Sequence, residues 1–458
     1  MNSSINTVID SAIKASGNTP AGPAFAMPQG TPAAARTVLK LLQRLTHGSL
    51  AVQLPDGSMQ FFGKHGTQAG AEPHAALRLN NWNVFSAALK SGDIGFAESY
   101  IAGDWTTPNL AELLRVLVAN RKQVEDVVYG SWAGRLLYRI KHLLNRNTKA
   151  NSQKNIHAHY DLGNAFYSLW LDGTMNYSSA LFAGDLNQTM QQAQNAKVRR
   201  ALSMAGVAPG SRVLEIGCGW GALAEMATIE FGASLTGVTL STEQLAFAQA
   251  RMARLGVVDT SVGAVSAAAP GRPKQGTAPS GGSAAHEVAS VGAQLRLQDY
   301  RDIADGPFDA ICSIEMVEAV GRAYWPTYFQ ALHKLLKPGG RACVQSIVID
   351  DALFDRYVTS TDFIQQYIFP GGCLPSPSEF RAQAVAAGFK VVDEFAFGHD
   401  YAETLKRWRE TFMHQKQQVL AQGFDERFIR IWEFYLAYCE AAFSEDNTDV
   451  VQYTIQKI

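Results

Sequence analysis

Val213-Leu-Glu-Ile-Gly-Cys-Gly-Trp-Gly221 decides the fold. Val213–Ile216 is a short apolar run with one acid inside it, Gly217, Gly219 and Gly221 follow, and a helical pattern opens at Gly221. A buried strand running through a glycine turn into a helix is the first half of a βαβ unit. Glycine allows the tight turn and lets a ligand approach the backbone. A dinucleotide loop would read GxGxxG, with an acid about 20 residues on for the ribose. Here the spacing is GxGxG, and the second strand, Leu235–Val238, runs into Gly237-Val-Thr-Leu-Ser241 without an acid. The acid lies inside the first strand, at Glu215, and the loop lacks the lysine and later glycine that would cradle a pyrophosphate.

The same rhythm extends outward. A helix is predicted to begin near Ser241, and strands are predicted at Ala293–Leu297, Phe308–Ile314 and Ala342–Ile349, the last after a Lys337-Pro-Gly-Gly340 turn. Short apolar strands alternating with helices predict an α/β, doubly wound, mostly parallel sheet. One stretch interrupts it. Residues 258–294 are largely Ala, Gly, Ser, Pro and Val and read as a disordered surface insertion, which loop-closure entropy tolerates.

Upstream, residues 1–35 are rich in Ser, Thr, Ala, Pro and Gly and read as a flexible arm. A small α+β N-terminal domain is expected over 36–150, ahead of a catalytic domain over 151–458. It opens with helical spacing at Val38, Leu41, Leu42 and Leu45. Two strands then flank the Pro55-Asp56-Gly57 turn, and helical patterns follow at Trp82–Leu89 and Leu110–Ala119. Residues 131–158 carry Arg135, Arg139, Lys141, Arg146, Lys149 and Lys154 and no acid, with apolar residues at helical spacing among them. They read either as a linker helix or as a basic amphipathic helix on anionic lipid.

The 458 residues are 47% hydrophobic and 18% charged, which excludes wholesale disorder, and a net charge of −1 gives no general attraction to nucleic acid. Five scattered cysteines without a CxxC pair argue against a disulfide framework or a structural zinc site, and no metal is expected. No run of about 20 apolar residues predicts a membrane-spanning helix, and no signal peptide is read at the N-terminus. The expected location is cytoplasmic, with any membrane work done peripherally at the inner face.

The GxGxG loop and the Lys-Pro-Gly-Gly turn resemble the S-adenosylmethionine-dependent methyltransferases, whose cofactor has no phosphate and ends in an amino acid. Further motifs narrow the resemblance. His159-Tyr-Asp-Leu-Gly-Asn164, Asn176-Tyr-Ser-Ser-Ala-Leu-Phe182, Gly237-Val-Thr-Leu-Ser241, Leu297-Gln-Asp-Tyr-Arg-Asp302, Tyr367-Ile-Phe-Pro-Gly-Gly-Cys-Leu-Pro375 and Phe397-Gly-His-Asp-Tyr401 occur in that order. Together they resemble the cyclopropane-fatty-acyl-phospholipid synthase family, related to the mycolic acid cyclopropane synthases, over roughly residues 85–443. The resemblance implies a class I methyltransferase fold, S-adenosylmethionine as cofactor and unsaturated phospholipids as substrate. It also implies that the N-terminal domain serves membrane docking or formation of a homodimer. By motif position it implies cofactor contacts from Tyr160, Tyr177, Ser178, Glu215, Gly217, Gly219, Gly221, Thr239, Leu240 and Gln244, with Gln298 and Asp299 near the adenine.

In that family a bound bicarbonate acts as the base. Glu318 and Tyr401 stand in matching positions, but Ser179 replaces a Cys, Gln345 a His and Ala319 a His, while Glu315 stands where a Gly is usual. Methyl transfer to an alkene leaves a carbocation. Tyr177, Phe363, Tyr367, Phe369 and Tyr401 are candidates to stabilise it by cation–π attraction. A carboxylate in reach can take the proton. If the turn after Phe308–Ile314 starts a helix, Glu315 and Glu318 share one face. Glu315 is then expected to fill the place of the bicarbonate, oriented by Tyr401 and Gln345, with one of the two acids raised in pKa by the other. The leading expectation is cyclopropane formation on acyl chains. Alternatives are methyl or methylene branching, methylation of a small soluble nucleophile, and a silent lipid-binding module.

Overall fold

The structure, a computed structural model, describes residues 27–63, 72–124, 162–259 and 291–458. Tyr160, the 131–158 basic segment and most of the arm and the insertion lie outside those residues.

Two sheets organise the described residues. The smaller has strands β1 (Ser49–Gln53), β2 (Met59–Gly63), β3 (His74–Leu79) and β4 (Trp105–Thr106) in the order β2-β1-β3-β4. β1 and β2 form the expected hairpin around Pro55-Asp56-Gly57. The first described helix, Ala33–Leu42, begins inside the stretch read as a flexible arm, and its Ala35, Val38, Leu39 and Leu42 are buried.

The larger sheet has eight strands: β5 (Arg212–Ile216), β6 (Ser234–Thr239), β7 (Val258–Asp259), β8 (Gly292–Leu297), β9 (Phe308–Ile314), β10 (Leu336–Ile349), β11 (Phe389–Ala396) and β12 (Thr448–Lys457). Their order is β11-β12-β10-β9-β5-β6-β8-β7. β12 runs antiparallel to both β10 and β11, and the other pairs are parallel. β5 beyond Arg212 and β9 over Ala310–Ser313 are buried on both faces, as parallel strands under helices must be.

The N-terminal unit does not stand apart. Helices Asn83–Ala102 and Leu110–Ala119 pack on the C-terminal helix Glu426–Ser444, and one continuous apolar core joins them. Tyr100 donates to Glu433 Oε2 at 2.6 Å, and Arg115 Nε to Glu445 Oε1 at 2.9 Å. Among the described residues, no helix is long and apolar enough to cross a membrane.

Candidate active site

β5 delivers Glu215 to its C-terminal end, and Gly217, Gly219 and Gly221 turn the chain into the helix Ala222–Ile229. Gly219 has φ +49°, and nothing lies within 4 Å of where a Cβ would stand. It faces a cavity of about 170 Å³. Gly221, with φ +85°, does not line that cavity. A Cβ there would meet Ala248 Cβ at 3.1 Å, so Gly221 serves helix packing, and its reading as a cofactor contact is corrected.

The walls of this cavity collect most of the cofactor residues read from the motifs: Tyr177, Ser178, Glu215, Gly217, Thr239 and Leu240, followed by Gln244, Gln298 and Asp299. Thr239 Oγ1 donates to Gln244 Oε1 at 3.0 Å, and Ser241 caps the helix Thr242–Arg254. Asp299 is occupied, because Arg301 Nη2 donates to its Oδ2 at 2.5 Å and Arg301 Nε to its Oδ1 at 2.8 Å. Glu215 differs. Its side chain is buried and its Oε2 finds no hydrogen-bond partner among the described residues. Burial pushes its carboxyl well above the usual range, while Lys197 and Arg251 pull it down. An acceptor left unpaired at this depth is costly unless a ligand's N–H or O–H meets it. That fits the amino-acid or ribose end of S-adenosylmethionine.

A second, largely apolar cavity of about 390 Å³ shares Tyr177, Glu315 and Ala319 with the first. Its walls come from both ends of the chain: Leu50, Phe85 and Leu113 from the N-terminal unit, Ile347, Phe434 and Phe443 from the rest. Tyr177, Phe369 and Tyr401 line it. Phe363 and Tyr367 do not, which corrects their reading as cation-stabilising rings. Phe363 packs on Phe434 with ring centroids 4.8 Å apart, and the Tyr367 hydroxyl donates to Glu98 Oε1 at 2.6 Å.

Where the cavities meet stands Glu315. Tyr401 donates to its Oε2 at 2.6 Å, and Gln345 Nε2 and the Ser179 backbone N–H donate to its Oε1 at 2.7 and 2.8 Å. The Ser179 hydroxyl turns away to the Ala180 carbonyl, so Ser179 serves through its backbone. Glu315 does not begin a helix as expected. It has φ +49°, and the helix starts at Val317. The left-handed backbone, which a non-glycine residue adopts at a cost of about 1–2 kcal/mol, aims the side chain between β9 and β10. Its main-chain N–H donates to the Gln345 carbonyl at 2.8 Å.

Glu318 also reaches this place, with Oε1 accepting from the Ile347 N–H. Burial and the neighbouring Glu315 push the Glu318 carboxyl up to about 8. Burial also raises Glu315, opposed by the Lys197 charge and by its donors. Both carboxyls are pushed up by burial, Glu318 further by its neighbour Glu315, while Lys197, Tyr401, the Ser179 N–H and Gln345 favour the charged form of Glu315.

Lys197 was not anticipated. It is fully buried in the helix Met190–Met204, donates to Ser178 Oγ at 2.5 Å, and is lowered to about 8 by burial against the attraction of Glu315, Asp172 and Glu215. The signal lay in the sequence, since Lys197 stands four residues from both Ala193 and Ala201 on the buried stripe of that helix.

The fold and the glycine-loop cavity define a methyltransferase, and a general methyltransferase-domain profile matches residues 214–342. The profile described as mycolic acid cyclopropane synthetase matches residues 147–264 and 283–453, and the chain belongs to that family of S-adenosylmethionine-dependent, lipid-modifying methyltransferases. It is 36% identical over 443 residues to the tuberculostearic acid methyltransferase of Mycobacterium tuberculosis, covering 94% of this chain and 93% of that one. It is 33% identical over 374 residues to the cyclopropane-fatty-acyl-phospholipid synthase of Escherichia coli, covering 82% and 85%. Among solved structures, mycolic acid cyclopropane synthase CmaA1 complexed with SAH and CTAB aligns with a TM-score of 0.55 at 30% identity, covering 67% of this chain and 98% of that one.

Proposed function

We propose that this chain transfers a methyl group from S-adenosylmethionine to the cis double bond of an unsaturated phospholipid acyl chain and closes a cyclopropane ring, with Glu315 as the base. The observation that carries the reading is the placement of the Glu315 carboxylate, held by three donors, where the glycine-loop cavity meets the apolar one.

The cofactor, when bound, supplies an electrophilic methyl carried on a sulfonium. Glu215, Thr239 and Gln244 would hold it, and the apolar cavity would keep the alkene beside it and away from water. The alkene π pair would form the new C–C bond while the methyl–sulfur bond breaks and its pair stays on sulfur, leaving a carbocation on the neighbouring carbon. Tyr177, Phe369 and Tyr401 supply aromatic walls, worth about 2 kcal/mol or more to a desolvated cation. Glu315 takes a proton from the transferred methyl, and the released C–H pair closes the ring. The acyl chain gains one CH2.

Bicarbonate does not fit this site. Tyr401, Gln345 and the Ser179 N–H already bind a carboxylate of similar shape. No step is assigned to it.

A hydride shift before proton loss would leave a methylene branch instead. The 36% identity to a protein named as a tuberculostearic acid methyltransferase favours that second reading. The apolar lining of the larger cavity disfavours a small soluble nucleophile. The substrate is read as reaching the site from the inner face of the cytoplasmic membrane.

Lipids extracted from a bacterial host expressing the protein test this. Monounsaturated acyl chains should gain one CH2. Proton NMR then separates upfield ring protons from the vinylidene signals of a branch. Unchanged acyl masses would contradict both readings.

A further inference from the structure

Gln345 reaches Glu315 through an amide, and an amide can present a donor or an acceptor. Groups with no such freedom settle the choice. Arg200 Nη1 donates to Gln452 Oε1 at 2.7 Å, and a guanidinium can only donate. Gln452 Nε2 donates to the main-chain carbonyl of Lys197 at 3.2 Å, which can only accept, and to Gln345 Oε1 at 3.0 Å. Gln345 is left with its Nε2 facing Glu315 Oε1 at 2.7 Å. Gln345 and Gln452 face each other in register across β10 and β12, and both are 0% exposed, so no water exchanges these partners. Arg200 is itself anchored on β11, with Nη2 donating to Asp393 Oδ2 at 2.7 Å and the guanidinium 4.1 Å from the centre of the Phe395 ring.

We propose that Gln452 is a positioning residue that, held by Arg200 and the Lys197 carbonyl, forces Gln345 to act as a hydrogen-bond donor to Glu315. It lines neither cavity and acts only through Gln345. The inference rests on the reading of Glu315 as the base. The other groups facing Glu315 are the Lys197 ammonium, the Glu318 carboxyl, the Tyr401 hydroxyl and the Ser179 N–H.

Gln452→Glu keeps an acceptor for Arg200 but removes the donor to Gln345, so the Gln345 amide reverses and presents oxygen to Glu315. In full-length protein labelled with carboxyl-13C glutamate, the Glu315 resonance is assigned by its loss in Glu315→Gln. Its titration midpoint should rise by about one unit or more in Gln452→Glu, a roughly tenfold shift in proton affinity. Gln452→Met, close in shape, should give a smaller rise. On a Gln345→Met background Gln452→Met should leave the midpoint unmoved, because the coupling runs through that amide, while Gln452→Glu should keep only the part of its rise due to its added charge. A Gln452→Met rise that persists on that background, or none in either single variant, overturns the proposal. Methyl transfer to dioleoyl-phosphatidylglycerol vesicles should fall roughly tenfold in kcat, with S-adenosylmethionine affinity by calorimetry held within about twofold as the check on folding. Full turnover by Glu315→Gln would sink the base assignment while leaving the titration to judge the relay.

Discussion

The Tyr401 hydroxyl donates to Glu315 Oε2 at 2.6 Å from a helix, Gly398–His414, that begins more than eighty residues further along the chain. A phenol bonded to a carboxylate favours its charged form and fixes its direction. Tyr401→Phe should therefore lower kcat by about 10- to 100-fold, the range expected for one hydrogen bond to a charged group. Cofactor affinity should not change. Steady-state kinetics with calorimetry separates the two, and equal kcat would remove Tyr401 from the base assembly.

Glu318 makes stability depend on pH. Its folded pKa of about 8 lies above the ordinary 4.5, so the folded state holds a proton that the unfolded state releases. Its contribution is fully present below pH 4.5 and is lost as pH rises through 8, with a slope of at most about 1.4 kcal/mol per pH unit. Glu318→Gln mimics the protonated acid and should flatten that decline. Urea unfolding at pH 5, 6, 7 and 8 (about one-unit steps across the window) measures it, and parallel curves for both proteins would contradict the assignment.

Glu215→Ala should weaken S-adenosylmethionine binding by about 10- to 100-fold, the loss expected for one charged hydrogen bond. The free Oε2 is the reason. Unchanged affinity by calorimetry would mean that the carboxylate serves only Lys197 and Arg251.

Gly221→Ala should lower the melting temperature with little direct effect on the cofactor site. The new Cβ would stand 3.1 Å from Ala248 Cβ at a φ of +85°. A strained backbone and overpacking each cost about 1–3 kcal/mol. Loss of cofactor affinity in a variant as stable as the parent would restore Gly221 to the binding residues.

Leu117→Trp should narrow the larger cavity from the N-terminal side, because Leu117 lines it. KM for an unsaturated phospholipid should rise while cofactor affinity holds. Unaltered lipid kinetics would detach the N-terminal unit from the acyl site.

The parallel strands β5, β6, β8 and β9 were readable because each is short and bracketed by glycine or a cap, whereas β7 lies in the stretch read as a disordered insertion. Phe308–Ile314 and Leu110–Ala119 carry the predicted bounds. The helix Asn83–Ala102 was expected only over Trp82–Leu89. Gly92, at φ +63°, instead kinks the helix, and Ile94, Ala97 and Tyr100 continue its buried face. The Lys337-Pro-Gly-Gly340 turn lies within the bounds of β10, whose register on β9 shifts between Leu336 and Arg341. At the site, Tyr401 was legible as a match to the family motif, and Glu315 and Gln345 as departures from it. The burial of Lys197 was readable from the stripe of its helix, but its partners, and those of Gln452, show only once distant strands and helices meet. The shared wall with the N-terminal unit is hidden for the same reason.

The central claim is that Glu315 is the base and that no bicarbonate is used. The direct measurement is methyl transfer to dioleoyl phospholipid vesicles in buffer stripped of bicarbonate, with the wild type and Glu315→Gly side by side. The wild type should be unaffected, while Glu315→Gly should be inactive until bicarbonate is added to the space that the carboxylate leaves. A wild type that loses turnover on stripping, or a Glu315→Gly variant fully active without bicarbonate, would contradict the account.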